Sequence, residues 1–130
     1  MKILIVEDTF FLLKAFLGHL ENHTVSTATN VKDAIALINE AEPDFDVISL
    51  DYNLPMDPDD SPGPWGNKIA EALVAAGYQG GVTLHSNDRA GVRHMTGTLD
   101  AAGIKSIVLN LRYPEYIEDT LREAAGLQNS

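Results

Sequence analysis

The chain has 130 residues, 45% hydrophobic and 22% charged, which suits one soluble globular domain with a sizeable core. Its formal net charge of -10, from 19 acidic against 9 basic side chains, argues against direct binding to DNA or RNA through phosphate neutralisation. There is no cysteine, which excludes disulfides, thiolate metal sites and a thiol nucleophile, and the opening "MKILIV" is too short for a signal peptide or membrane span, so a cytoplasmic domain without membrane contact is expected.

Short apolar runs alternate with segments of helical period. Lys2 to Val6 reads as a strand, and Thr9 to Leu20 as a helix with Phe10, Leu13, Phe16, Leu17 and Leu20 on one side. Thr24 to Ala28 is a second strand. Asn30 then suits the N-cap of a helix over Val31 to Glu40, whose inner stripe is Ala34, Ile35 and Ile38. Val47 to Leu50 is a third strand that stops on Asp51, with Pro55 four residues beyond. A loop rich in Pro, Asp and Gly leads to a helix over Asn67 to Ala76, closed by Gly77, Gly80 and Gly81. Val82 to Ser86 is strand four, and Asp88 to Ala102 a helix loosened by Gly91 and Gly97. Ser106 to Asn110 is strand five, and Pro114 to Ala125 a last helix with proline in its first turn.

Five such units predict a doubly wound α/β fold: a five-stranded parallel sheet of flavodoxin-like order 2-1-3-4-5, helices on both faces. The switch point then lies between strands one and three, where ligands of open α/β sheets bind. Glu7 and Asp8 end strand one and Asp51 ends strand three, so three carboxylates meet in one crevice. Their repulsion is relieved by a hard divalent cation, and Mg2+ suits a site of few carboxylates, waters and phosphate oxygens. The simpler alternative is that Glu7 and Asp8 only cap the following helix, whose dipole favours acids.

With the acids placed in this way, "ILIVEDTFFLLKAFL" (Ile3 to Leu17), "DVISLDYNLP" (Asp46 to Pro55) and the hydroxyl of Ser86 resemble the receiver domain of two-component response regulators, over nearly the whole chain. The resemblance implies one CheY-like receiver domain over residues 1–130. In it Asp51 accepts a phosphoryl group from a histidine kinase, a phosphotransfer protein or a small phosphodonor. It also implies Mg2+ held by Glu7, Asp8, Asp51 and the backbone carbonyl of Asn53, with Ser86 as the hydroxyl that bonds the phosphoryl oxygen. Two departures stand out. Asn110 occupies the place of the usual strand-five lysine, with Arg112, Arg89 or Lys68 as substitute cations, and Ile107 replaces the usual aromatic switch. The loop from Pro55 to Gly66 is also long, and its Asp57, Asp59 and Asp60 read as a solvated acidic loop or as an extra cation site.

His85, Ser86, Asn87, Gly91 and Met95 also resemble a divergent receiver-like family proposed to process cyclic phosphates. That likeness implies His85 and Asn87 on the substrate phosphate, with His85 as general acid or base. Against it stands the plain reading of strand alternation, which turns His85 toward a covering helix as a core histidine. His94 reads as a helix-surface residue, while His19 and His23 flank the end of the first helix. The functional expectation is a stand-alone phosphorelay receiver whose strand-four-to-helix-five face is read by a downstream protein. The alternatives are a degenerate receiver used only for binding and a receiver-like enzyme acting on cyclic phosphates. No P-loop or GxGxxG cradle is present.

Overall fold

The strand-forming runs are apolar on both sides, so they fold into a sheet covered on both faces. A computed structural model describes residues 1–127. In chain order the elements are β1 (Lys2–Val6), α1 (Phe10–Gly18), β2 (Thr24–Ala28), α2 (Val31–Glu40), β3 (Val47–Leu50) and α3 (Gly66–Ala75). They continue with β4 (Gly81–Leu84), α4 (Arg89–Ala101), β5 (Ser106–Val108), a 3-10 turn (Pro114–Tyr116) and α5 (Ile117–Leu127). The strands are parallel in the order β2-β1-β3-β4-β5, as expected. No helix among the described residues is long and apolar enough to cross a membrane.

Period-two alternation divides the core. Leu4, Val6, Ile48, Leu50, Val82 and Leu84 face α2, α3 and α4, where they meet Ala34, Ile69, Leu73 and Met95. Ile3, Ile5 and Val47 face α1 and α5, against Leu13, Phe16, Ile117 and Leu121. Each such buried aliphatic contributes about 1.5–3 kcal/mol, so both layers hold the central strands firmly. The same parity sends Glu7, Ser49, Asp51, Thr83 and His85 toward the α1/α5 side.

Register brings the carboxyl ends level. Val6 pairs with Ala28 and Leu50, and Leu50 with Leu84, which pairs with Val108. The ladder continues one residue further: Glu7 N–H donates to Ala28 O at 3.0 Å, Asp51 to Val6 at 3.2 Å, His85 to Leu50 at 3.0 Å and Leu109 to Leu84 at 2.8 Å. β4 and β5 end at Leu84 and Val108, short of the expected Ser86 and Asn110.

Three local expectations change. The first helix is shorter than Thr9 to Leu20, and Phe10 and Leu17 are exposed at 77% and 44%; the buried stripe is Leu13, Phe16 and then Leu20, because only those positions lie over the sheet. Pro114 opens a 3-10 turn, with α5 proper starting at Ile117. Gly91 does not simply loosen α4: it is buried against the Tyr52 ring, and a side chain there would collide with that ring. Asn30 caps α2 as expected, accepting from Asp33 N–H at 2.8 Å.

Candidate functional site

Glu7, Asp51 and His85 emerge from β1, β3 and β4 at one edge, and each offers a ligand atom within 4.8 Å of the others. Glu7 is buried and both its oxygens are engaged: Oε2 accepts Thr9 N–H at 3.0 Å and Oε1 lies 3.1 Å from His85 Nε2. Burial works to raise the Glu7 carboxyl, but the hydrogen bond from His85, with the Thr9 amide, outweighs it and holds Glu7 below its ordinary value. Asp51 Oδ1 accepts Tyr52 N–H at 2.7 Å, which fixes the carboxylate at the strand end. Its pKa is raised by burial and then by the charge of Glu7, with the Tyr52 amide and Ser86 opposing.

Asp8 stands beside this pair. Burial, then the hydrogen bond and charge of Glu7, push it up to about 6, with Asp51 adding to the rise. Thr9 holds the N-cap position of α1 and no acid lies in its first turn, so the helix-start reading reduces to Glu7 accepting the Thr9 N–H. The expected carboxylates therefore come together, with Asp8 hydrogen-bonded to Glu7 and Asp51 within ligand distance of Glu7. Asn53, two residues past Asp51, is exposed and directs its side-chain amide to Asp88 at 3.5 Å. The acidic loop is pinned by paired Leu54 and Gly63 backbone bonds of 2.9 and 3.1 Å. Its Asp57 lies 3.8 Å from Lys32, which fits the solvated reading.

A cleft of about 950 Å³ opens beside Ser86, between the start of α4 and the end of β5. Ser86, Asn87, Asn110 and three of the chain's four arginines, Arg89, Arg93 and Arg112, line it. None of these three is ion-paired among the described residues. Asn110 is exposed and its Oδ1 accepts Arg112 N–H at 2.9 Å. Two of the proposed substitute cations thus line the cleft, and Lys68 does not.

His85 follows the strand-alternation reading. Its side chain is fully buried, packed edge-on against Phe16 of α1 at 4.9 Å, with Nδ1 2.7 Å from Ser49 Oγ. This fits the core-histidine reading, and His85 also forms part of the inner lining of the cleft beside Ser86. The reason is parity: Ser86 takes the outward position and His85 the inward one. His23, expected only at the helix end, places its ring 3.0 Å from the Met1 amine and 3.6 Å from Glu118. Sequence reasoning missed Ser49, Thr83 and Arg93. Ser49 and Thr83 carried a signal, since each is a hydroxyl inside an otherwise apolar buried strand, in parity with His85.

A family model described as Cyclic-phosphate processing Receiver domain matches residues 3–101. No curated protein matches the chain. Among solved structures, a CheY-like response regulator receiver domain protein from Methanospirillum hungatei JF-1 aligns with TM-score 0.77 and 18% identity, over 98% of this chain and 95% of its own. The signal receiver domain of an HD domain-containing protein from Pseudomonas fluorescens Pf-5 gives 0.74 and 16%, over 98% and 96%. A Burkholderia pseudomallei response regulator, described with a phosphorylated aspartic acid, calcium ion and citrate, gives 0.69 and 18%, over 97% and 69%. At these identities the likeness establishes the receiver fold.

Proposed function

Because the chain belongs to the cyclic-phosphate processing receiver domain family, we propose that it carries out Mg2+-dependent phosphate chemistry at its crevice, with Asp51 as phosphoryl acceptor. The observation that carries this reading is the carboxylate cluster: Asp51 is oriented by Tyr52 N–H, lies beside Glu7, and both Asp51 and Asp8 are raised by burial and by their acidic neighbours. Such a cluster holds more negative charge than the fold neutralises, which fits a hard cation with oxygen ligands. Asp8, Asp51, Glu7 and the Asn53 carbonyl would hold Mg2+, which when bound neutralises charge on the phosphoryl oxygens.

In the transfer itself, an Asp51 carboxylate oxygen forms a bond to the donor phosphorus while the phosphorus–oxygen bond to the leaving group breaks. The leaving group departs with the bonding electron pair; acetyl phosphate releases acetate. The Ser86 hydroxyl donates to a phosphoryl oxygen, and the arginine-lined cleft attracts the anionic donor. In the cell the donor is a histidine kinase or phosphotransfer protein, and a downstream protein reads the face from β4 to α5. The chain would act there as a single cytoplasmic receiver.

A second reading, opening of a cyclic phosphate diester by water, is favoured by the family description and by Asn110 in place of a fixed cation. There the water oxygen bonds to phosphorus while one ring phosphorus–oxygen bond breaks, and Asp51 takes the water proton, which then passes to the departing alkoxide oxygen. Intact mass after incubation with Mg2+ and acetyl phosphate tests the first reading: one phosphoryl group on the wild type and none on Asp51→Asn. Phosphorus NMR of a 2′,3′-cyclic nucleotide incubated with the chain tests the second. A chain inert in both assays leaves only the binding role and overturns the proposal.

A further inference from the structure

Thr83, Ser49, His85 and Glu7 form one chain of hydrogen bonds across β4, β3 and β1, on the side of the sheet covered by α1 and α5. Thr83 Oγ1 donates to Ser49 Oγ at 2.6 Å, Ser49 Oγ is 2.7 Å from His85 Nδ1, and His85 Nε2 is 3.1 Å from Glu7 Oε1. Ser49 and Thr83 are completely buried, as is the His85 side chain, and Glu7 is 1% exposed. Water therefore completes none of these bonds, and each hydroxyl proton needs an acceptor within the chain.

That requirement fixes the direction. Ser49 Oγ receives the Thr83 proton, so its own proton goes to the remaining neighbour, His85 Nδ1. With Nδ1 accepting, the ring proton sits on Nε2 and is donated to Glu7 Oε1. The Phe16 ring closes the remaining side of the imidazole.

We infer that Thr83, Ser49 and His85 are positioning residues that lock Glu7 as an oriented carboxylate facing the cation position. Together with Thr9 N–H on Oε2, the ring donor holds both Glu7 oxygens, yet each keeps a lone pair for a ligand. A buried carboxylate without such donors would be strongly disfavoured, so the chain of hydrogen bonds lets this acid face the crevice in charged form. His85 acts through Glu7. The inference rests on the proposed Mg2+ site for its purpose and on the hydrogen bonds alone for its geometry.

The two levels separate experimentally in the full chain labelled with 15N. Ring nitrogen shifts of His85 should report the neutral Nε2–H tautomer, and Ser49→Ala should release it into a mixture. Mg2+ titration followed by amide shifts should show affinity about tenfold weaker in Ser49→Ala and in His85→Leu, in the range seen when an outer partner of a ligand is removed. His85→Gln, whose side-chain amide can still donate to Glu7, should bind close to wild type. If His85→Leu does not fold, Ser49→Ala and His85→Gln carry the comparison. An Nδ1–H tautomer in the wild type, or Ser49→Ala with unchanged tautomer and unchanged Mg2+ affinity, overturns the inference. A wild-type chain that binds no Mg2+ overturns the proposed metal site, and the tautomer then decides by itself whether His85 holds Glu7.

Discussion

Removing the charge of Asp8 should stabilise the metal-free protein. The Asp8 carboxyl rises from 3.8 to about 6, through burial first and then through Glu7 and Asp51. An acid whose folded-state pKa exceeds its unfolded value binds its proton more tightly when folded. Between about pH 4 and pH 6 the folded chain thus carries more protons than the unfolded one, stability falls as pH rises, and above about pH 6 the full penalty applies. Two pKa units correspond to roughly 3 kcal/mol before screening, and Asp8 is partly exposed, so about 1–2 kcal/mol is the working expectation. Asp8→Asn should therefore be more stable than wild type by that amount at pH 7.5 and equal to it near pH 4. For a domain of this size the gain corresponds to a Tm higher by roughly 4–8 °C. Mg2+ should reverse the order: at a hundred times its Kd it adds about 2.7 kcal/mol to the wild type and little to the variant. Urea denaturation at both pH values, with and without Mg2+, measures all four quantities. A variant no more stable than wild type at pH 7.5, or one that gains as much from Mg2+, refutes the crowded-acid account of the crevice.

Three other outcomes are expected. Asn110→Lys should speed phosphorylation of Asp51 by acetyl phosphate about tenfold, as about 1.4 kcal/mol of added charge stabilisation implies, with little change in Mg2+ affinity; stopped time points analysed by intact mass give the rate. Arg112→Ala should slow the same reaction and reduce its dependence on ionic strength, since Arg112 lines the cleft beside Ser86 without an acidic partner. Gly91→Ala should cost about 1–3 kcal/mol by forcing its methyl group against the Tyr52 ring, and hydrogen exchange should rise from Ser86 to Thr98 as that contact opens.

Central strand positions were legible because parallel strands covered on both faces leave short apolar runs between turn residues: Lys2–Val6 and Val47–Leu50 were read to the residue, as was the edge strand Thr24–Ala28 from its β-branched residues. Topology followed from the alternation of strands and helices, and with it the meeting of Glu7, Asp8 and Asp51. Helix edges were less legible. Phe10 has the spacing of a core residue, but the sheet ends before it, and only the three-dimensional extent of the neighbouring layer says so. The Tyr52 contact of Gly91 was likewise hidden, because a glycine that makes room for a distant ring looks in sequence like one that weakens a helix. The hydroxyls of Ser49 and Thr83 were visible as polar residues in apolar strands, yet their partners lie 36 and 34 residues away and depend on strand register.

Asn110 acquires its meaning from the distribution of charge. The chain carries -10 overall, and Glu7 raises both Asp8 and Asp51 at the β1 and β3 ends, so an anion approaching from that side is repelled. On the β4 and β5 side the sign changes, with Arg89, Arg93 and Arg112 around one cleft and no carboxylate paired to them among the described residues. An arginine presents a planar fork suited to phosphate oxygens, where a lysine offers one compact charge. On the proposed phosphate chemistry, Asn110 in place of a fixed cation would leave the positive partners on the walls of the adjoining cleft. A cation set back in this way binds the body of a donor more than the oxygens of the moving phosphoryl group. On the proposed acceptor role of Asp51, that arrangement predicts faster reaction with a donor larger than acetyl phosphate, one with a second anionic or hydrogen-bonding group to occupy the cleft.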